Sequence, residues 1–214
     1  PATGSLAHSL GHTFHHTPLQ ARTASRKHSE TSAMNSPATK DAPKVGMISL
    51  GCAKNLVDAE IMLGSAKAEG FEVTADPAEA DLLIVNTCGF IDSAKQESID
   101  AILEANRQRN EGTRPDAKIV VSGCLSQRFS TDLASELPEV DAFIGLDQVA
   151  EAGTIFRRVL NEDKTSALNL VTPKSRYIPD FATPRFRLTP NHSVYVKIAE
   201  GCNHPCSFCV IPQM

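Results

Sequence analysis

The chain has 214 residues, 41% apolar and 21% charged, with a formal net charge of −4. That balance suits a globular protein with one main core plus smaller segments. It lacks the strongly basic character of a nucleic-acid binder, and it has no run of about 18 apolar residues, so no membrane span is expected.

Residues 1–44 stand apart. They are rich in Ser, Thr, Ala and His, show no helical or strand period, and hold five histidines, His8, His12, His15, His16 and His28. Such a segment buries too little apolar surface to offset its ordering entropy, so a disordered leader is expected rather than a histidine metal site. Met34 opens MNSPATKDAPKVG, which runs into the first apolar stretch, and is expected to be the true start. The acid-poor, Ser-rich stretch with Arg22, Arg26 and Lys27 also fits an organelle transit peptide.

Residues 45–160 read as one domain. A strand at 45–50 is followed by a helix with Leu56, Ala59, Leu63 and Ala66 on one face, stopped by Gly70. A short strand, 71–74, and a third, 81–86, come next. Ser93 and Gln96 form a capping box for a helix carrying Ile99, Ile102 and Leu103. A fourth strand, 118–122, leads to a helical stripe of Leu125, Phe129, Leu133 and Leu137. A fifth, 140–144, precedes a helix capped by Asp147 and carrying Val149, Phe156 and Val159. Five strands alternating with helices predict an α/β fold, a flavodoxin-like doubly wound parallel sheet whose stripes are core. Residues 161–192 read as an extended linker, with Pro173, Pro179, Pro184 and Pro190, and solvated charges at Lys174, Arg176, Arg185 and Arg187. SVYVKIAEGC (193–202) alternates as a strand and opens a further segment, 193–214.

The six cysteines fall into two triples. Cys52, Cys88 and Cys124 lie 36 residues apart, twice, each closing an apolar run (VGMISLGC, DLLIVNTC, KIVVSGC) and each beside a glycine, Gly51, Gly89 or Gly123. Right-handed crossovers point parallel strands the same way, so residues past their ends meet on one edge, where such folds bind ligands. The three thiols are therefore predicted to converge. A single cysteine of this kind reads as a small buried hydrophobe; for three at equivalent strand ends that becomes the lesser reading. Nothing signals secretion, which argues against disulfides. Cys202, Cys206 and Cys209 form a Cys-x3-Cys-x2-Cys cluster. Three thiolates at this spacing can hold three irons of a 4Fe-4S cubane and leave the fourth open. The competing reading is a structural zinc site with His204 as fourth ligand, at an unusual spacing. Asn55 and Asn86 sit beside ligating positions, either to bond cluster sulfurs or to cap turns. Asp58 and Glu60 lie at a helix start, where negative charge is favourable, and have no acid–base role.

Four stretches carry a resemblance: SLGCAKNLVDAE (49–60), NTCGFIDSAKQESI (86–99), SGCLSQRF (122–129) and EGCNHPCSFCVIPQM (200–214). They resemble the methylthiotransferase family of radical S-adenosylmethionine enzymes, in its RimO-like branch, from about Val45 to Met214. The sister MiaB-like branch, acting on tRNA adenosine, shares the six cysteines but tends toward Gly-Cys-Gln-Met-Asn at the first. It also lacks the Gly-Phe-Ile-Asp that follows Cys88 here. Ala53 stands where many members carry proline.

The resemblance implies two 4Fe-4S clusters and S-adenosylmethionine. The cluster on Cys202, Cys206 and Cys209 binds and cleaves S-adenosylmethionine, and the one on Cys52, Cys88 and Cys124 holds or donates sulfur. It implies methylthiolation at the β-carbon of an aspartate in small-subunit ribosomal protein S-twelve, with a second S-adenosylmethionine as methyl donor. An electron donor such as flavodoxin or ferredoxin, a sulfur source, a cytoplasmic location and no membrane partner go with it. Residues 193–214 are expected to start a partial barrel, and the chain as it stands to be incomplete for the full reaction. The alternatives are a MiaB-like tRNA enzyme and a non-catalytic metal-binding protein.

Overall fold

A computed structural model describes residues 42–163, 166–209 and 211–213. Residues 1–41 of the expected leader, with Met34 and its histidines, lie outside the described residues; the last leader residue, Lys44, already belongs to the first strand.

The strands are β1 (Lys44–Ser49), β2 (Glu72–Val73), β3 (Leu82–Thr87), β4 (Lys118–Gly123), β5 (Ala142–Phe143) and β6 (Leu168–Asn169). They form one sheet in the order β2-β1-β3-β4-β5-β6, and every pairing is parallel. The first five follow the flavodoxin-like order. Between them run α1 (Ala53–Ala68), α2 (Asp92–Glu111), α3 (Cys124–Glu136) and α4 (Ala152–Asn161).

The apolar runs become strands buried on both faces. Along β3, Leu82 and Ile84 enter a core layer shared with Ile61, Leu63 and Phe156, while Leu83 and Val85 enter a second layer with Ile102, Leu125 and Leu133. Successive strand residues point to opposite faces, so an unbroken Leu-Leu-Ile-Val run feeds two cores at once. On the first face, Phe71 meets the Phe156 ring edge-on at 6.2 Å. Truncating a residue such as Ile84 to alanine would cost about 2–5 kcal/mol.

Several local expectations are corrected. Among the described residues there are six strands, because Leu168–Asn169, within the expected linker, pairs with β5. The capping box does not form: α2 starts at Asp92 after Ile91, without a side-chain cap. A capping hydroxyl must sit outside the helix, and Ser93 is already in the first turn. Leu103 is exposed, and Ser98, Ile102 and Ala105 make the buried stripe, because i, i+4, i+7 spacing from Ser98 leaves Leu103 off that face. The stripe of α3 breaks at Phe129, whose backbone is not helical (φ −131°, ψ 20°). Asp147 caps no helix: its carboxylate accepts from the backbone N–H of Arg176 at 2.7 Å and of Tyr177 at 2.8 Å, and from the Thr172 and Ser175 hydroxyls, both at 3.0 Å.

The largest departure lies after Thr183. Residues 193–200 form no strand. An alternating pattern needs a neighbouring backbone to pair with, and no described strand takes that role. The stretch stays mostly exposed and reaches α1 through buried Lys197 and through Glu200. Residues 184–188 cross the same helix at Gly64 and Glu60, and with α4 packed on it as well α1 is buried from Val57 to Ala66 rather than along one stripe. Arg185, expected in solvent, pairs with the buried Glu60.

Candidate cluster site at the carboxyl edge of the sheet

Strand register brings the first triple together. The ladder pairs Thr87 with Gly123 and Ser49 with Asn86, so Cys88 and Cys124 are the next residues along two neighbouring strands. Cys52 arrives over a turn at Gly51. Both turning glycines have left-handed backbones, Gly51 at φ 91° and Gly123 at φ 92°. A Cβ on Gly123 would lie 2.3 Å from the Thr87 carbonyl oxygen, so any other residue is excluded by contact as well as by conformation.

Cys52, Cys88 and Cys124 line one cavity of about 370 Å³, as do Lys54, Asn55 and Asp58. Phe90, Ile91 and Leu146 form apolar wall, and Glu200 and Gly201, from the segment leading into Cys202, also reach it. All six cysteines are free thiols.

Polar side chains hold the thiols in place. The Asn55 amide nitrogen donates to Leu50 O at 3.0 Å and Thr87 O at 2.7 Å, tying the ends of β1 and β3 together. Its Oδ1 lies 3.6 Å from Cys124 Sγ. Asn86 donates to Asn55 O at 2.7 Å. The two asparagines thus join strand ends, and Asn55 also faces a sulfur. Ser98 Oγ accepts from Cys88 N and donates to Cys88 O, both at 3.0 Å. Sequence reading passed over Ser98; the available signal was a small polar residue on the buried stripe of α2.

Burial, and then the neighbouring Cys88 and Cys52, push the Cys124 thiol up to about 12. Three thiolates cannot gather in a low-dielectric pocket without positive charge between them, and a bound metal centre supplies it. Among the described residues, no three His, Cys, Asp or Glu side chains surround a single point closely enough to hold one metal ion. Zinc ligands sit about 2.3 Å from the metal, hence about 4 Å from each other, whereas cysteines of a cluster bind separate irons and stand farther apart.

The second triple is local and open. Cys202 is exposed, and Cys206 and Cys209 are half-buried. The His204 backbone N–H donates to Cys202 Sγ at 3.4 Å, and His204 Nδ1 lies 3.6 Å from Cys206 Sγ. His204 is exposed within this loop.

Residues 44–145, which hold the first triple, match the family model described as Uncharacterized protein family UPF0004. Three curated relatives are each named ribosomal protein uS12 methylthiotransferase RimO. Those of Akkermansia muciniphila and Opitutus terrae are each 54% identical, over 172 and 176 residues (79% and 80% of this chain). That of Syntrophotalea carbinolica is 49% identical over 171 residues, or 80% of this chain. The chain is RimO-like. It spans 38%, 37% and 36% of the lengths of these relatives. In this RimO-like chain, the loops expected to set the branch line or adjoin the cavity: Lys54 and Asn55 after Cys52, and Phe90 and Ile91 after Cys88. Among the described residues no helix is long and apolar enough to cross a membrane.

The charged pair dismissed as a helix-start effect is corrected. Asp58 and Glu60 are buried, and each binds a residue from the far end of the chain. Lys197 Nζ meets Asp58 Oδ1 at 2.7 Å and also contacts Glu200. Burial pulls the Lys197 ammonium down, but Asp58 and Glu200 outweigh it and hold it above its ordinary value. Burial likewise pushes Glu200 up, and Lys197 and Lys54 overcome this, leaving it below the usual carboxylate range.

Proposed function

We propose that this chain provides both cysteine sites of a radical S-adenosylmethionine methylthiotransferase, one 4Fe-4S cluster on Cys52, Cys88 and Cys124 and another on Cys202, Cys206 and Cys209. The observation that carries the reading is the meeting of Cys52, Cys88 and Cys124 on one cavity that the segment before Cys202 also lines. In this reading residues 45–160 are the N-terminal methylthiotransferase domain, 161–192 a linker and 193–214 the start of the radical domain, after a leader at 1–44. The names of the relatives support ribosomal protein uS12 as substrate. The loop sequences around Cys52 and Cys88 support the same branch, with the β-carbon of an aspartate as acceptor. An electron donor such as flavodoxin or ferredoxin, a sulfur source and a cytoplasmic setting complete the proposal.

When bound, the two clusters supply one electron for cleavage of S-adenosylmethionine and a site for the transferred sulfur. Cys52, Cys88 and Cys124 offer three thiolates from three rigid strand ends, which leaves one iron of a cubane without a protein ligand. Asn55 faces the Cys124 sulfur and Ser98 fixes the Cys88 backbone, the kind of surrounding that tunes a cluster's potential. The apolar wall of Phe90, Ile91 and Leu146 restricts water at the cavity.

Anaerobic reconstitution with counting of iron and sulfide tests this. About eight irons per chain are expected, falling to about four in Cys202→Ala/Cys206→Ala/Cys209→Ala and to about four in Cys52→Ala/Cys88→Ala/Cys124→Ala. Four irons in the wild type and none after loss of the second triple would leave the first triple as core residues. Zinc in place of iron would sink the radical reading.

A further inference from the structure

We propose that Lys54, Asp58, Lys197 and Glu200 form an ionic clamp that sets the spacing between the two cysteine triples. Lys54 lies two residues after Cys52 and Glu200 two residues before Cys202, and their side chains meet directly, Nζ to Oε1 at 2.8 Å. Lys197 joins the same group by holding Asp58 and contacting Glu200. Its side chain is 0% exposed, that of Asp58 2% and that of Glu200 7%; Lys54 is 44% exposed. Two cations and two carboxylates balance, so the group as a whole carries no net charge.

Residues 193–200 have no strand ladder, so backbone pairing cannot fix where Cys202 lies. Apolar contacts alone tolerate sliding, because the hydrophobic effect is non-directional. A buried ion group is a poor source of stability but can define one register. Here it selects the register that puts Glu200 and Gly201 on the cavity shared with Cys52.

A second anchor holds the same segment to the same helix. Buried Glu60 takes the Arg185 guanidinium and accepts from Leu188 N at 2.7 Å. Gly64 allows the close crossing, because a Cβ there would come 2.6 Å from the Pro184 and Arg185 backbone. Helix α1 therefore serves as a ruler: it begins right after Cys52 and carries both anchors of the segment that ends in Cys202. The four charged residues are positioning residues. The clamp rests on these contacts; its functional meaning rests on the two-cluster reading above.

The test uses the full chain. After anaerobic reconstitution and reduction, electron paramagnetic resonance reads spin coupling between the clusters in wild type, Lys54→Glu, Glu200→Lys and the exchanged pair Lys54→Glu/Glu200→Lys. Coupling is expected in wild type, weaker coupling at unchanged iron content in each single variant, and recovery in the exchanged pair. Single variants that keep wild-type coupling, or a wild type with eight irons and no coupling, would overturn the clamp as a spacer. Lys54 is partly exposed, so its variant is expected to fold. Trypsin separates the clamp from the cluster reading, since Lys197 is cleavable only when released. Cleavage after Lys197 in the metal-free chain is expected to be about tenfold faster in Asp58→Asn, because proteolysis follows the open population. An unchanged rate would refute the clamp even if the iron count had already refuted two clusters.

Discussion

The two cysteine triples are drawn together in opposite ways. Cys202, Cys206 and Cys209 lie within eight residues of chain, so their proximity is local and needs little support. Cys52, Cys88 and Cys124 span more than seventy residues and meet only because three parallel strands end side by side. In the proposed two-cluster reading, the first design lets a loop close around a metal centre as it binds. The second prepares the site in advance, through the strand register, two left-handed glycines and the asparagine that ties β1 to β3. The cost of assembling the N-terminal site is therefore met by the folding of the sheet, and that of the C-terminal site by binding.

The sharpest way to break this contrast is Asn55→Leu. It leaves the Leu50 and Thr87 carbonyls without their donor in the interior, at a cost of about 2–4 kcal/mol. Urea unfolding should show that loss. Iron at the first triple should fall while the second triple keeps its own; equal loss from both would erase the distinction drawn above. Gly123→Ala comes next, at about 1–3 kcal/mol for the left-handed backbone alone. The contact with Thr87 O raises that cost, and a thermal midpoint within error of wild type would contradict it.

The pH dependence of Asp147 probes how the segment after β6 is tied to the sheet. Burial raises this carboxyl, but the Arg176 and Tyr177 N–H groups and the Thr172 and Ser175 hydroxyls outweigh it and hold it below 3.8. A depressed folded-state value stabilises above the ordinary value and is lost as pH falls through the folded one. The difference in stability between wild type and Asp147→Asn should therefore be constant near neutrality and shrink below pH 3.8. A difference that grows on acidification would reverse the assignment. The smallest effect is expected from Phe208→Ala in the open loop, where the ring is 91% exposed. Its unfolding free energy should change by no more than about 0.5 kcal/mol, and a larger loss in the metal-free chain would mean that the loop is packed before it binds anything.

Much of the site was legible in the residues. An apolar run ending in Gly-Cys or Thr-Cys encodes a buried strand and its turn together, and the even spacing of three such runs encodes their equivalence. The register adds what spacing alone could not: β3 and β4 pair residues 36 apart, as in Thr87 with Gly123, whereas β1 and β3 pair residues 37 apart, as in Ser49 with Asn86. The turn at Gly51 absorbs the one-residue difference. Leu103 stands on the expected stripe and Ser98 does not, because a helical stripe can be drawn through several sets of residues, and the sheet chooses among them.

What the sequence by itself determined was periodic and local: strands from apolar runs, helices from their stripes, and three cysteines at equivalent strand ends. Only the tertiary structure decided the fate of the charges. Asp58 and Lys197 are 139 residues apart, and Glu60 and Leu188 are 128 apart, so nothing in either neighbourhood marks them as partners. Periodicity reports which side of an element is apolar. It does not report which distant segment will cover the other side, and here that cover turned a helix-start aspartate and glutamate into the buried anchors of residues 184–200.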